Sequence, residues 1–200
     1  MADTLNPGPP SPANQAAEPH LRRELTGWTR DLAVALGLIL VFIIFLYQPV
    51  KVEGTSMAPL LSDQERIFIN KFVYRFEPIE RGDVVVFWYP RDLSKSFIKR
   101  VVGLPGDSVE IRTGRIYING HELHEPYVPS SYMDGLSYAP IVIQPDSYFV
   151  MGDHRDSSND SRMFGPVQRQ YIYGKAVFAY WPVEHFGSLS LPSTVNAASR

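Results

Sequence analysis

The sequence predicts a mainly β protein, an antiparallel β-sheet domain behind one N-terminal transmembrane helix. The helix is indicated by one long apolar run from Leu32 to Tyr47, with no charged residue between Asp31 and Lys51. The sheet is indicated by a change, after residue 50, to short runs of β-branched and aromatic residues, which are typical of strands. No amphipathic pattern of three or more helical turns follows residue 50, so we expect few helices there.

Composition and charge fit a folded domain and exclude several classes of function. Apolar residues make up 44% of the 200-residue chain and charged residues 20%, which suits one domain with appendages. The net charge is -2 and no cluster of Lys or Arg stands out, so nucleic-acid binding is disfavoured, because it needs a basic face. The chain has no cysteine, which excludes disulfides, cysteine-ligated zinc and a thiol nucleophile.

The chain begins with a polar segment in which prolines recur. Few apolar side chains are available there to offset the entropy lost on ordering, which is typical of disordered segments. We expect residues 1–30 to form a disordered cytoplasmic tail. The end of this tail is a basic flank that contains Arg22, Arg23 and Arg30.

The apolar run predicts a transmembrane signal-anchor helix at residues 31–50. About 19 residues, at about 1.5 Å per residue, just cross a hydrocarbon core of about 30 Å. Arginines precede the run, whereas Lys51 is the nearest basic residue after it. The positive-inside bias therefore predicts a single-pass protein of the cell membrane, with residues 51–200 on the outer side. A cleaved signal peptide and a buried core helix are the alternatives, although Gln48-Pro49-Val50 lacks a small-residue cleavage site.

Short segments after the anchor favour strands: Arg66–Phe72, Asp83–Tyr89, Phe97–Val102, Val109–Arg112, Arg115–Asn119, Tyr148–Met151 and Ala176–Trp181. Thr113-Gly114 and Asn119-Gly120 are typical of hairpin turns. Glu122–Asp146 is rich in Pro and Tyr and weakly patterned, so we expect a flexible excursion there. These observations assign residues 51–185 to one β-rich domain and residues 186–200 to a C-terminal tail.

A serine follows the predicted anchor closely, in the segment Gly54–Leu61. Gly54 allows the backbone to approach another group, and Pro59 stiffens the chain just beyond Ser56. A serine held in such a turn can present its hydroxyl and nearby backbone N–H groups to a substrate carbonyl. The same pattern is also typical of an ordinary turn that has no catalytic role.

A lysine interrupts a strand-like apolar stretch in the segment Phe97–Asp107. If Lys99 points to the apolar face, desolvation lowers its pKa from about 10.4, because burial disfavours the charged form. The neutral amine can then act as a general base. The alternative is a solvated lysine that extends from the strand to the surface.

Acidic and basic side chains are concentrated in the segment Met151–Gly165. The segment holds residues able to form the charge-assisted pairs that a buried loop needs: Asp153, Arg155, Asp160 and Arg162. A calcium loop of the EF-hand type does not fit, because that loop needs Gly at its sixth position and Glu at its twelfth. Counted from Asp153, these positions hold Ser158 and Phe164.

A histidine in the same segment keeps a second catalytic arrangement open, a Ser-His-Asp triad centred on His154. The other histidines, His20, His121, His124 and His185, lie in contexts that suggest no catalytic role. Nothing in the sequence indicates a cofactor or a metal site.

Taken together and in this order, four segments resemble the signal peptidase I family, membrane signal peptidases with a Ser/Lys dyad. The segments are GTSMAPLL at 54–61, RGDVVVFWYP at 81–90, IKRVVGLPGD at 98–107 and GDHRDSSNDSRMFG at 152–165. The resemblance runs from the predicted anchor to about Trp181. It implies a β-sheet catalytic domain of the signal-peptidase and LexA-like type, in its single-anchor form.

The resemblance also implies roles for particular residues. Ser56 resembles the nucleophile and Lys99 the general base, and Ser158 resembles the hydroxyl that orients the lysine amine. A structural polar network beneath the site is implied for Arg100, Asp153, Arg155, Asp160 and Arg162. Ser56 would form an acyl-enzyme, and Lys99 would activate the water that hydrolyses it. The backbone N–H of Ser56 would supply part of the oxyanion hole.

The sequence departs from the family pattern at three places. Gly54 stands where some members have a serine that helps to bind the oxyanion. Leu60 replaces the usual Thr, and His154 occupies a position where Asn is frequent. None of these changes removes Ser56 or Lys99, so we expect the chain to be active.

The implied substrates are preproteins that emerge on the outer side of the membrane, with small residues at the signal-peptide cleavage site. We expect shallow apolar pockets near Ser56 and along Asp83–Phe87, and a peptide bound in extended form as an added strand. The predicted partners are thus signal peptides and the lipid bilayer, without nucleic acid and without an obligate protein partner.

Other interpretations share part of this pattern. A conjugation-type or organellar Ser/Lys processing peptidase would use the same chemistry. A self-cleaving Ser/Lys regulator would resemble a soluble repressor with a DNA-binding domain. This chain has an apolar run and a Pro-rich tail instead of such a domain. A catalytically inactive anchored β-domain would serve only for binding, and the presence of both Ser56 and Lys99 argues against it.

Overall fold

The computed structural model describes residues 17–189, which form two compact units divided after Phe45. The first unit holds helix α1, Ala17–Leu46, except for its last residue. Within the part of the chain that is described, no helix is long and apolar enough to cross a membrane, and the anchor stays a prediction. Residues 1–16 of the predicted tail and 190–200 of the predicted C-terminal tail lie outside the described residues.

The boundaries of α1 differ from those of the predicted tail and anchor. Residues 17–30, expected as part of a disordered tail, are helical, and their sequence includes the strong helix formers of Leu21–Leu25. The helix ends at Leu46 and not at residue 50, and Tyr47–Lys51 form strand β1. Pro49 accounts for this end, because proline lacks the N–H for a helical hydrogen bond and restricts the preceding residue to extended conformations.

The second unit consists mainly of two antiparallel sheets, which confirms the predicted mainly β fold. The strands of the larger sheet are β1 (Tyr47–Lys51), β2 (Arg66–Asn70), β3 (Val84–Tyr89), β4 (Asp92–Gly103), β9 (Ser147–Met151), β10 (Val167–Gln168), β11 (Ile172–Trp181) and β12 (Gly187–Ser188). Their order is β1-β2-β11-β3-β4-β9-β10, with β12 beside β11. The strands of the smaller sheet are β5 (Ser108–Arg112), β6 (Arg115–Ile118), β7 (His121–Glu122) and β8 (Tyr138–Val142). Their order is β7-β6-β5-β8, and the short helix α2 (Ser161–Phe164) follows β9 in the chain.

The predicted strands and hairpin turns are found where the sequence indicated them. Each segment predicted as a strand lies wholly or largely within an observed one. Thr113 and Gly114 have φ angles of 50° and 78°, and Asn119 and Gly120 have φ angles of 53° and 86°. Positive φ at both central residues is the requirement of the type I′ turn, which matches the twist of antiparallel strands.

Strand β3 lies inside the larger sheet and is buried on both faces. Val84 and Val86 belong to one core cluster, and Val85 and Phe87 belong to another. Successive side chains of a strand point to opposite faces, so the continuous apolar run of β3 serves two cores at once. Strand β4 is paired along β3, with Lys99 opposite Val85, and it is thereby held next to the buried centre of the sheet.

The segment 122–146, expected as a flexible excursion, is packed against the rest of the domain. It contains strand β8, which pairs with β5, and the buried side chains of Val128 and Ile143. Hydrophobic periodicity does not reveal this packing, because several of the side chains that hold the segment against the domain are polar. Glu125 and Asp134 bind arginines that lie 30 and 28 residues further along the chain.

Candidate active site

The loop between β1 and β2 holds Ser56 in a closed turn. The loop is closed where the N–H of Val52 donates to the carbonyl of Glu65 at 2.7 Å. Met57 and Leu61, which follow Ser56, are almost fully buried and fix the loop to the core. Ser56 itself is half-buried, so its hydroxyl is held in place and still accessible.

Gly54 turns the chain just before the serine. Its φ of 90° lies in the region that favours glycine, and its N–H donates to Asp63 Oδ1 at 2.8 Å. The backbone of a serine at this position would be strained. This gives a physical reason why the chain has glycine where some family members have a serine. The same hydrogen bond lowers the pKa of Asp63.

Lys99 reaches the serine from strand β4. Its Nζ lies 2.7 Å from Ser56 Oγ and 2.9 Å from the carbonyl oxygen of Ile98, and the residue is 4% exposed. Burial lowers the pKa of the amine from 10.5 to about 8, and the negative charges of Asp160 and Asp153 partly oppose this effect. An amine in this state loses its proton close to neutral pH and can then accept the proton of a serine hydroxyl.

Arg100 follows Lys99 on β4 and forms a fully buried ion pair with Asp153. Its Nε and Nη2 donate to Asp153 Oδ1 and Oδ2 at 2.8 and 2.6 Å, and neither side chain is exposed. Its Nη1 donates to the carbonyl of Gly82 at 2.9 Å, and the guanidinium lies 4.1 Å from the ring centroid of Tyr127. Burial raises the pKa of Asp153, and Arg100 opposes this effect. The pair joins β4 to the loop that follows β9.

Asp160 connects the start of helix α2 to the same loop. Its Oδ1 accepts the N–H of Arg162 at 3.2 Å, and its Oδ2 accepts the N–H of Gly152 at 3.1 Å. The guanidinium of Arg162 donates to both carboxylate oxygens of Asp160, at 2.8 and 2.7 Å, and also to Asp134. The buried carboxylate of Asp160 therefore satisfies two backbone donors and one arginine.

Arg155 is bound by a residue that the sequence did not single out. Its Nη1 and Nη2 donate to the two carboxylate oxygens of Glu125 at 2.9 and 2.5 Å, and its Nε donates to the carbonyl of Gly152 at 2.9 Å. Glu125 lies in the segment 122–146, where no motif marks it. The five residues predicted for the polar network all form ion pairs: Arg100, Asp153, Arg155, Asp160 and Arg162.

Ser158 lies beside Gly152, next to the main chain of Ser56. A Cβ on Gly152 would overlap Ser158 Oγ and the carbonyl oxygen of Ser56, and would lie 2.7 Å from Ser158 Cβ. Among the described residues, Ser158 Oγ is buried and has no hydrogen-bond partner. Lys99 Nζ contacts Ser56 and the carbonyl of Ile98 instead, so the orienting role of Ser158 stays a prediction.

The geometry does not favour the triad centred on His154. Its Nδ1 lies 3.3 Å from the carbonyl oxygen of Thr55, and its Nε2 lies 3.0 Å from Asp156 Oδ1. Both ring nitrogens therefore have partners other than the hydroxyl of Ser56, whose side-chain contact is Lys99. Of these two side chains, Lys99 and not His154 contacts the hydroxyl of Ser56.

A groove with a cavity volume of about 300 Å³ opens beside Ser56 and Lys99. Its apolar lining comes from Val50, Val52, Ile67, Val86, Phe97 and Ile98. Of the predicted pocket stretch Asp83–Phe87, Val86 lines the groove, whereas Asp83 is buried against other partners. The contribution of Val50 was missed because the sequence placed it in the anchor. Within the described part of the chain, no group of three or more His, Cys, Asp or Glu side chains could hold a metal ion.

Comparison with known proteins relates most of the chain to one family. The family described as "Signal peptidase, peptidase S26" matches residues 25–181. A signal peptidase I from Leptolyngbya laminosa is 34% identical over 199 residues, which cover 96% of this chain and 97% of that protein. A signal peptidase I from Bacillus amyloliquefaciens is 38% identical over 165 residues, which cover 78% of this chain and 84% of that protein.

Two further similarities were found, one to a curated protein and one to a solved structure. Signal peptidase IB from Staphylococcus aureus is 34% identical over 182 residues, which cover 83% of this chain and 94% of that protein. Among solved structures, a signal peptidase I from Enterococcus faecalis V583 is 31% identical with a TM-score of 0.44, and the match covers 50% of this chain and 97% of that chain. The family match at residues 25–181 includes every candidate site residue described above.

Proposed function

The chain belongs to the signal peptidase family, peptidase S26, and on that premise we propose that it removes signal peptides from preproteins with Ser56 as nucleophile and Lys99 as general base. The observation that carries the proposal is the 2.7 Å contact between Lys99 Nζ and Ser56 Oγ. Burial of the lysine supports it, because a buried amine gives up its proton more readily. The name signal peptidase I, which the relatives carry, supports the class of substrate.

The chemistry follows from this contact. Neutral Lys99 takes the proton of the Ser56 hydroxyl while Oγ attacks the carbonyl carbon of the scissile peptide bond. The backbone N–H of Ser56 binds the oxyanion of the tetrahedral intermediate. When the C–N bond breaks, Lys99 gives its proton to the leaving amine of the mature protein, and the signal peptide stays on Ser56 as an ester. Lys99 then deprotonates a water molecule, which hydrolyses this ester.

The polar network keeps the side chains of Ser56 and Lys99 in position relative to each other. The Arg100–Asp153 pair joins the strand that carries Lys99 to the loop after β9. The negative charges of Asp160 and Asp153 stop the pKa of Lys99 from falling further. Ser158 orients the amine of Lys99 in this proposal, a role supported by its buried hydroxyl, which has no partner among the described residues.

The groove fits an extended peptide with small side chains. On one edge β4 pairs with β3, but on its other edge β9 begins to pair only at Arg100. The backbone of Ser96–Ile98 is therefore available along that edge to pair with a substrate strand. The valine and isoleucine side chains that line the groove favour small apolar side chains at the cleavage site.

The chain is membrane-bound in this proposal, anchored by the apolar part of α1 that begins at Leu32. Many apolar side chains there are exposed to solvent, for example Leu36, Leu38 and Leu40, and a contiguous apolar surface of this kind calls for an apolar environment. The arginines before the run support a cytoplasmic N-terminus, by the positive-inside bias. The catalytic domain, residues 51–185, is then on the outer side, where preproteins emerge.

A cleavage assay on a preprotein, with the full-length chain in lipid vesicles, tests the proposal. Ser56→Ala and Lys99→Ala should each reduce the rate by about 1000-fold or more without loss of folding. Lys95→Ala is the matched control, because Lys95 lies on the same strand and is exposed. Full activity of Lys99→Ala, or a wild-type chain that leaves preproteins uncut, contradicts the proposal. Complete loss of activity in His154→Ala with an active Lys99→Ala would favour a histidine-centred triad.

A further inference from the structure

The segment 122–146, called the brace segment below, contacts the arginines of the polar network at three points. The contacts are Glu125–Arg155, Asp134–Arg162 and Tyr127–Arg100. These arginines lie on two different stretches of chain, β4 and the region after β9. A segment held at three points of one network can determine where that network lies.

Glu125 holds Arg155 with a bidentate ion pair. The two oxygens of Glu125 accept from Arg155 Nη1 and Nη2 at 2.9 and 2.5 Å, and Tyr127 Oη donates to Glu125 Oε1 at 2.7 Å. The side chains of Glu125 and Arg155 are 4% and 2% exposed. A bidentate pair at this burial fixes the orientation of the guanidinium. Removal of either partner leaves the other as an uncompensated buried charge.

Arg155 transmits this constraint to the nucleophile. Its Nε donates to the carbonyl of Gly152 at 2.9 Å. Gly152 in turn packs directly against the carbonyl oxygen of Ser56 and against Ser158. Glu125 is thus connected to the main chain of Ser56 through two residues, and a shift of Arg155 displaces the loop against which the nucleophile packs.

Glu125 also belongs to the network of charges near the base, because its negative charge acts on Asp153, which in turn acts on Lys99. Four carboxylates face the guanidinium groups of three arginines in this network, and Glu125 is one of them. His154 is another titratable group beside the serine loop, and its ring nitrogens lie close to the carbonyl oxygen of Thr55 and to Asp156. Removal of the Glu125 charge leaves Arg155 as an unpaired positive charge in this network, and added positive charge disfavours the protonated form of a nearby amine.

We propose that Glu125 is a positioning residue for Ser56 and Lys99 and acts through Arg155 and Gly152. The inference rests on the proposed function and adds a residue outside the four motif segments to the machinery of that site. Glu122, also in the brace segment, offers a contrast. Its ion pair with Arg115 leaves the two side chains 45% and 64% exposed, and an exposed pair of this kind has little effect.

The test compares Glu125→Gln, Glu125→Asp and the control Glu122→Gln in the full-length chain with a preprotein in lipid vesicles. Glutamine keeps the shape of the side chain and removes its charge, so kcat should fall about tenfold. KM should stay within about twofold, because Glu125 does not line the groove. Glu125→Asp keeps the charge and should recover most of kcat. Glu122→Gln should match the wild type.

Two further measurements separate positioning from a purely structural role. An NMR titration of the Lys99 amine needs no substrate and should give a lower pKa in Glu125→Gln than in the wild type, with Glu125→Asp close to the wild type. Tyr127→Phe removes one hydrogen bond to Glu125 and keeps the ring on Arg100. This variant should lower kcat about twofold to threefold with only a small loss of stability, since one hydrogen bond is removed. It provides the test of the proposal if the Glu125 variants do not fold.

The outcomes are distinct. Unchanged kcat and an unchanged Lys99 titration in Glu125→Gln overturn the proposal, and so does unchanged kcat in Tyr127→Phe. A kcat loss that only follows the loss of folded protein, with no shift of the titration and no recovery in Glu125→Asp, also overturns it. If the wild-type chain leaves preproteins uncut, the proposed function fails, whereas the titration of Lys99 still decides the role of Glu125.

Discussion

The carbonyl oxygen of Ser56 lies so close to Gly152 that a methyl group cannot fit between them. The same oxygen accepts the N–H of His154 at 3.1 Å. The loop after β9 therefore holds the main chain of the nucleophile by a hydrogen bond and by direct packing. Because Ser158 flanks the same glycine, the position of Gly152 governs the geometry on both sides of the site.

Gly152→Ala is expected to separate the two loops. The added Cβ would overlap Ser56 O and Ser158 Oγ, which should destabilise the fold by about 1–3 kcal/mol and reduce kcat/KM by about 100-fold through misplacement of the hydroxyl. Kinetics on a preprotein and urea unfolding measure the two effects. Gly187→Ala is the control, because its Cβ would meet no atom within 4 Å. Wild-type kinetics in Gly152→Ala would show that the close packing between Gly152 and Ser56 has no effect on catalysis.

The lowered pKa of Lys99 predicts how the rate depends on pH. The pKa of the amine falls to about 8, so the neutral, active fraction falls about tenfold for each pH unit below that value. The logarithm of kcat/KM should therefore rise with unit slope on the acidic side and level off above about pH 8. Lys99→Arg should be inactive throughout, because a guanidinium stays protonated. A rate that is independent of pH between about pH 6 and 8 would exclude Lys99 as the base.

The buried ion pair of Arg100 predicts a large cost when only one partner is removed. Arg100→Ala leaves Asp153 as a charge with no exposure to solvent and should lower the free energy of unfolding by about 3–5 kcal/mol. Arg112→Ala, which breaks the exposed pair with Glu110, should cost less than about 1 kcal/mol. Urea denaturation of both variants measures the difference. Equal losses of stability would mean that burial of the Arg100 pair has no energetic effect.

The strands could be predicted wherever burial follows a simple alternation. In β2, Ile67 and Ile69 are buried and alternate with more exposed residues. The turn at Thr113-Gly114 could be predicted from its residue types, which are typical of hairpin turns. Strand β1 could not be separated from α1 in this way, because Val50 continues the apolar run without a charged interruption. Only Pro49 marks the change from helix to strand.

The site could be predicted only in part from local pattern. The apolar neighbours of Lys99 indicate burial, but the contact with Ser56 joins residues 43 positions apart, and no spacing rule predicts it. The family resemblance supplied that pairing. Glu125 was missed by both approaches, because it lies in a weakly patterned segment and its partner Arg155 is 30 residues away.

The groove predicts that one valine controls the choice of substrate while its neighbour does not. Val86 lines the groove, whereas Val85 belongs to the core cluster on the other face of β3. Val86→Ala and Val85→Ala should both destabilise the fold by about 1–3 kcal/mol, because each deletes buried methyl groups. Only Val86→Ala should enlarge the groove and allow larger apolar side chains at the cleavage site, measured with preproteins that carry Ala, Val or Leu there. The same shift in both variants would place the specificity pocket elsewhere.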